Sequence, residues 1–432
     1  MKASSLFNRI YLWAALLLVA VNLINKNYIA NLPLDYALYI GIVVLSVVYG
    51  IRFRKYSVPR SYLIVLLAVV ALMILNAAVS PYAPPFFYGL LGGAITLMPF
   101  IFFVASYNFG MSDGEIRQFV RGIICIVLFY AVFLYFDSLV LHTARSARAA
   151  SALSEGAILS SNLIRFGDFS SLCNQAVVFC LAEFYRTRKR GLWYLIAFLA
   201  VTIVLTNQLK AIAGLGLVFA GYMLYLTRLP KWLKVSVITV AVGALAAVLS
   251  LSNIFTSKVD QLVEGGMSET AYEEIARPAL YYRSVEMAAD FFPLGTGQGT
   301  FGSVPVNLID SPVYEEYELN GIWGLSIDDE LNFRMDTHWA SVLGEMGFLG
   351  LALYLWLFFY PARRMRREVG PEGSREERSL RFMVRMGVIT LFVESLVLAL
   401  PKSFSFIVIY AGLAAVILKR YPAQSAPRTR AS

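Results

Sequence analysis

Long apolar stretches recur along this chain, near residues 10–27, 34–51, 62–80, 86–106, 118–141, 171–185, 192–208, 211–227, 235–254, 338–360, 385–400 and 403–419. About 17–25 such residues, wound as a helix, cross a hydrocarbon core of ~30 Å. Within lipid, only helices and closed barrels satisfy their own backbone hydrogen bonds. The chain therefore reads as an all-α polytopic membrane protein with about twelve transmembrane helices. Composition agrees: hydrophobic residues make up 58% and charged residues 15%, with mean hydropathy +0.65. Soluble domains run at roughly 45–50% and about 25%. The pairs 192–227 and 385–419 read as tight helical hairpins. The first stretch lacks a following small-residue cleavage site, which makes it a retained anchor rather than a leader.

Basic residues set the expected orientation. With the N-terminus inside, the inner segments hold 27 of the 37 Lys and Arg residues. They cluster at Arg52, Arg54, Lys55 and Arg60, at Arg186, Arg188, Lys189 and Arg190, and in eight arginines from Arg363 to Arg385. This places both termini on the cytoplasmic side and makes the net charge of +9 mostly a matter of topology. Short juxtamembrane clusters without a soluble binding domain argue against a nucleic-acid partner and for membrane lipids. Cys125, Cys173 and Cys180 all fall within expected spans, so neither a disulfide framework nor a CxxC metal site is indicated. Four regions result: membrane helices over 1–254 (about nine spans), a large outer loop over 255–337, further helices over 338–420 (about three spans), and a polar tail over 421–432.

The outer loop 255–337 carries fifteen acidic and four basic residues. Where it re-enters a span stands His338, one of two histidines in the chain. Imidazole is the side chain whose ordinary pKa suits proton removal near neutral pH. The bland alternative is an interfacial histidine satisfied by water or Asp336. Glu345, seven residues on, shares its helical face about two turns deeper. A carboxylate inside a span faces the protein interior or a wet cavity, as part of the chemistry or as a structural anchor.

Against the acidic loop, Arg277, Arg283 and Arg334 stand out. Arg277 precedes a helical stretch from Pro278 to Phe292, so it sits where free N–H groups already favour an anion. Its planar fork suits a diphosphate. The ordinary alternatives are ion pairs with Glu273 or Glu274 and, for Arg283, with Glu286. Lys210 follows Asn207 and Gln208 between two spans with almost no loop, at headgroup depth. It is either a snorkelling lysine or a ligand for a lipid-linked phosphate. Arg165 is a comparable cation, with Asp168 its nearest partner. Asp328-Asp329-Glu330 reads as a solvated acidic turn rather than a metal site. The run from Gly295 to Gly299 lacks the strand and the Lys-Ser/Thr of a phosphate loop, and reads as a turn.

These pieces together resemble the O-antigen ligase and polymerase superfamily of bacterial membrane glycosyltransferases. Arg277 through Pro293-Leu294-Gly295-Thr296-Gly297 looks like the family's arginine, helix and Pro-x-x-Gly-x-Gly pattern. His338 with Leu343, Glu345, Gly347 and Gly350 looks like its histidine followed by Glu-x-Gly-x-x-Gly. Arg165-Phe166-Gly167-Asp168 with Asn174 looks like the opening of a middle span. Lys210 stands where the family usually has arginine after serine, and Trp339 where it usually has asparagine. Order and topology extend the resemblance over most of the chain.

The resemblance implies a GT-C-like helical bundle in the bacterial inner membrane, with a helical periplasmic cap and a site facing the periplasm. Within the superfamily, the size and single moderate outer loop look most like a ligase. Such an enzyme moves a preassembled glycan from undecaprenyl diphosphate to a hydroxyl of lipid A–core oligosaccharide. His338 would be the base. Arg277, Arg283, Lys210 and Arg165 would bind the diphosphate, with Glu345 and Asp168 in support. One displacement would invert the anomeric centre, and the scheme requires no metal, nucleotide or redox cofactor. An O-antigen polymerase and a protein O-oligosaccharyltransferase share the architecture. A twelve-span secondary transporter is the alternative from another class.

Overall fold

The computed structural model describes residues 3–27, 33–53, 57–137, 167–206, 208–227, a few positions between 230 and 239, 275–329, 332–368 and 373–421. Most of the expected span 235–254, Arg165 with the rest of 138–166, and all of 255–274 lie outside the described residues. Every regular element among the described residues is helical. The first half supplies α1 (Ala3–Asn27), α2 (Leu34–Phe53), α3 (Arg60–Val79), α4 (Phe86–Tyr107) and α5 (Asp113–Phe136). Then follow α6 (Gly167–Thr187), α7 (Leu192–Leu205), α8 (Leu209–Leu226), α9 (Ala276–Asp290) and the short α10 (Pro312–Glu316). The chain ends with α11 (His338–Glu368), α12 (Arg375–Glu394) and α13, residues 404–420, whose middle part, Ile407–Leu413, is wound as a π-helix.

Among the described residues, seven helices are long and apolar enough to cross a membrane: Ser4–Asn25, Leu34–Phe53, Arg60–Val79, Phe86–Tyr107, Asp113–Phe136, Leu209–Leu226 and His338–Arg366. Leu192–Leu205 is apolar but shorter. Their outward faces carry exposed Ile40, Val44, Ile51, Ile64, Leu67 and Ile74. A bundle in water would not leave so much contiguous apolar surface uncovered; lipid accepts it.

Helices α5 and α12 both begin on a complete capping box, Ser112 with Glu115 and Ser374 with Glu377, which satisfies amide groups the first turn leaves free. Both starts lie at one end of the bundle. There Arg420 pairs with Asp113, Arg117 with Glu376 at 3.4 Å, and Arg378 and Arg188 both lie over the Tyr185 ring at 5.4 Å. Asn8 donates to Gly110 O (2.8 Å) at the same end. At the opposite end Asn22 joins Asp35 (3.0 Å) and Ser405 (2.9 Å), linking α1, α2 and α13.

That opposite end bears a cap, built from α9, α10 and the loops between Phe291 and Thr337. Its own core comprises Leu280, Met287, Phe301, Val306, Val313, Tyr314 and Leu325, closed against Ala340 of α11. Arg334 is its pillar. Fully buried, it donates to Val306 O (2.8 Å), Leu325 O (2.5 Å) and Asn320 Oδ1 (3.2 Å), with its guanidinium 4.2 Å from the Tyr314 ring centroid. A guanidinium so placed organises loops that have too little apolar surface to organise themselves.

Candidate functional site

Helix α11 is not one straight rod. Gly347, at φ 66° and ψ −172°, breaks it inside the apolar run. That region of backbone space is essentially closed to residues with a Cβ. A Cβ there would also collide with the carbonyl of Leu294. The piece 338–346 folds back along the piece after Gly347, which the aromatic contacts demonstrate. His338 and Tyr354 are sixteen residues apart, roughly 24 Å on a straight helix, yet their ring centroids lie 5.4 Å apart. Trp339 likewise packs against Phe358 at 5.2 Å.

This corrects one expectation about depth. Glu345 does share a face with His338 on the short helix. Because the helix doubles back, however, Glu345 sits at the turn beside Asn76 and the cap, and His338 lies two turns farther in. The histidine is not a rim residue. It is fully buried, and neither Nδ1 nor Nε2 has a hydrogen-bond partner.

Glu345 has a defined task. Its Oε1 accepts from Gly299 N (2.9 Å), Phe301 N (3.1 Å) and Ser303 Oγ (2.6 Å). Thr296 N and Gly297 N in turn donate to Gly344 O (2.9 Å) and Glu345 O (3.1 Å), capping the C-terminal carbonyls of the short helix. Asn76 Nδ2 adds a third bond from α3, to Glu345 O (2.6 Å). The glycine-rich segment is thus more than a turn: it cradles a carboxylate of the same chain, locking cap, α3 and α11 together. Of the two roles open to Glu345, the geometry gives it the anchoring one.

The expected cations divide. Arg277, in the first turn of α9, bonds Asp336 Oδ2 at 2.7 Å, two residues before His338. The residues Glu273 and Glu274 lie outside the described residues. Arg283 points elsewhere, to Glu286 (2.7 Å) and Glu318 (3.5 Å), which is the ordinary ion-pair alternative. Lys210, at the start of α8, has a buried ammonium with no hydrogen-bond partner. The charges of Asp168, Glu394, Arg277 and Asp336 all act on it. Asp329 closes a turn, accepting from Gly324 N (2.8 Å) and Ser326 N (2.9 Å); Glu330 is outside the described residues.

Two groups were missed by sequence reasoning. Glu394, fully buried near the end of α12, accepts from Asn174 Nδ2 (2.6 Å), which also donates to Ala211 O (2.8 Å). Gly214 lies against both, because any Cβ would overlap the Glu394 carboxylate. The rule that flagged Glu345, an acid inside an expected span, applies equally to Glu394. The second is Lys402, alone between two apolar runs, whose Nζ lies 3.4 Å from Ser341 Oγ. Its charge acts on both His338 and Glu345.

The two clusters adjoin. Trp339, next to His338, donates from Nε1 to Ser395 Oγ (2.8 Å), next to Glu394. Arg277 holds Asp336, and the charges of both act on Lys210. A buried imidazole with free nitrogens therefore lies near the incompletely bonded Lys402 ammonium, an arrangement able to accept a proton while an anion is held nearby. No protein-family model matches the chain, and no curated protein aligns with it.

Proposed function

We propose that this protein is a membrane glycosyltransferase of the O-antigen ligase type. It would transfer a preassembled glycan from undecaprenyl diphosphate to a hydroxyl of lipid A–core oligosaccharide. In this reading about twelve helices, including the more polar α6, α12 and α13, cross the bacterial inner membrane in a GT-C-like bundle. The end rich in basic residues faces the cytoplasm, and the cap lies in the periplasm.

The acceptor oxygen attacks the anomeric carbon, its O–H proton passes to a ring nitrogen of His338, and the bond from that carbon to the diphosphate oxygen breaks. The configuration inverts. The leaving diphosphate gains negative charge, which Lys210 and Arg277 are disposed to stabilise. Arg283, paired twice within the cap, is the weaker candidate for that task. General-base assistance of this kind contributes typically about 10²–10⁴-fold.

The observation that carries the reading is the buried His338 with both ring nitrogens unpartnered. Purified protein with lipid-linked donor and rough lipopolysaccharide tests it. His338→Ala is expected to insert, to bind the carrier and to fail in transfer; near-normal transfer by that variant removes His338 as the base. The Lys210–Glu394–Asn174 cluster is the feature that best suits a secondary transporter. Uptake of substrate by proteoliposomes, with no glycan transfer, would favour that class instead.

A further inference from the structure

We propose that Lys402 is a phosphate-binding residue of the His338 site. The inference rests on the transferase reading for the identity of its ligand, but not for the binding itself.

Lys402 closes a short turn, Leu400–Lys402, between α12 and α13. Leu400 and Pro401 are buried, and the amides of Lys402 and Ser403 bond back to Ala399 O (3.2 Å) and Leu400 O (3.0 Å). The turn is therefore fixed, and so is the point from which the side chain starts. A lysine at a helix end near a membrane surface usually snorkels outward. This one turns inward, to Ser341 Oγ, on a residue only 1% exposed. Ser341 lies between His338 and Glu345 on one face of the short helix, so the ammonium overlooks the imidazole.

Its bonding is incomplete. An ammonium has three donors, and this one makes a single long hydrogen bond and no ion pair among the described residues. Glu345, the nearest acid acting on it, has Oε1 committed to the cradle. Arg334 in the cap differs: its three guanidinium nitrogens are satisfied by Leu325 O, Val306 O and Asn320 Oδ1. An ammonium half withdrawn from water without a matched partner is costly, and a ligand anion would offset that cost.

The backbone adds a second contribution. The helix 338–346 begins at His338, and its first amide groups have no intrahelical acceptors. Its positive dipole end therefore lies at the same place. Half-helix ends serve anions this way inside membrane proteins. The half-buried ammonium of Lys402, the helix N-terminus and the free imidazole together suit a group bearing phosphate oxygens close to a hydroxyl. Two substrates carry such phosphate, the carrier diphosphate and a phosphorylated acceptor oligosaccharide.

The test uses full-length protein in detergent, with inorganic pyrophosphate as probe. Lys402→Met is expected to weaken pyrophosphate binding about tenfold or more, the loss of a charge-assisted hydrogen bond, and Lys402→Arg to recover most of it. In transfer assays the KM that rises for Lys402→Met identifies the source: donor KM for the carrier, or KM for phosphorylated but not dephosphorylated acceptor. A readout on unaltered protein guards against a variant that does not fold. Pyrophosphate should protect Lys402 from amine acetylation, mapped by mass spectrometry. Unchanged labelling, or a folded Lys402→Met with wild-type pyrophosphate affinity, overturns the assignment. A wild-type protein that binds pyrophosphate through Lys402 yet transfers no glycan would instead sink the transferase reading alone.

Discussion

Replacing Glu345 separates an anchoring carboxylate from a chemical one. Its Oε1 is the acceptor for two buried amides and a hydroxyl, at 2.9, 3.1 and 2.6 Å. Glu345→Ala strands those donors where no water replaces the oxygen. Each orphaned buried group costs about 1–3 kcal/mol, and the hydroxyl of Ser303 is able to turn elsewhere, so the two amides together cost about 2–6 kcal/mol. Against an overall stability of about 5–15 kcal/mol, that is enough to release the cap. Glu345→Gln keeps an oxygen in place. It weakens charge-assisted bonds to neutral ones, a loss partly offset because no charge is buried, for a net cost of about 0–2 kcal/mol. The assay is thermal unfolding in detergent, paired with protease susceptibility of the segment 293–303. The expected order is wild type, then Gln, then Ala far below. Glycan transfer by the Gln variant should stay within about tenfold of wild type, since the base is His338. An Ala variant as stable as wild type, or a stable Gln variant with abolished transfer, would refute the reasoning.

Two further perturbations probe the same frame. Gly347→Ala forces a Cβ into a conformation open only to glycine, at about 1–3 kcal/mol, and against Leu294 O. It should straighten or unseat the short helix, seen as loss of the contact between His338 and Tyr354 in a structure and as loss of transfer; wild-type activity would contradict the folded-back geometry. Arg334→Met leaves the carbonyls of Val306 and Leu325 without their donor, at about 1–3 kcal/mol each, so the cap should become protease-sensitive while the membrane helices stay intact. Resistance equal to wild type would show that Arg334 is not the pillar.

Periodicity and apolar length were enough to read the helical membrane architecture. Spacing put Arg277 just ahead of a helix starting at Pro278; the helix begins instead at Ala276, so Arg277 lies inside its first turn. The histidine and its neighbouring carboxylate were legible as residue types, but not their depths. The apolar run from His338 onward holds three glycines, Gly344, Gly347 and Gly350. Glycine in a membrane helix is commonplace, and nothing local singles out Gly347 as the point of reversal. Its conformation follows from the loop 293–297 packing across it, a long-range contact absent from any local window. For the same reason the glycine-rich segment looked like an empty turn: its occupant, Glu345, is more than forty residues away. Lys402 escaped notice because only its contact with Ser341, 61 residues distant, distinguishes it from a snorkelling lysine. Glu394 was open to the same rule as Glu345.

The two ends of the helix 338–346 explain why chemistry and anchoring fall where they do. A nine-residue helix has unsatisfied groups at both termini, and lipid satisfies neither. At the carbonyl end, Gly344 O and Glu345 O accept from Thr296 N, Gly297 N and Asn76 Nδ2, all from outside the helix. Among the described residues the amide end shows no corresponding cap beyond the helix's own Ser341 N to Thr337 O bond at 3.4 Å, and the Thr337 hydroxyl beside it has no partner. It also gathers His338, with two free nitrogens, and the underbonded ammonium of Lys402. One end is sealed by protein, and the other gathers donors and a base whose partners the described chain does not supply. Had the helix served only packing, a cap on its buried N-terminus would cost nothing that the C-terminal cap does not already spend. Leaving that end unsealed is intelligible if an anionic, hydroxyl-bearing substrate completes it.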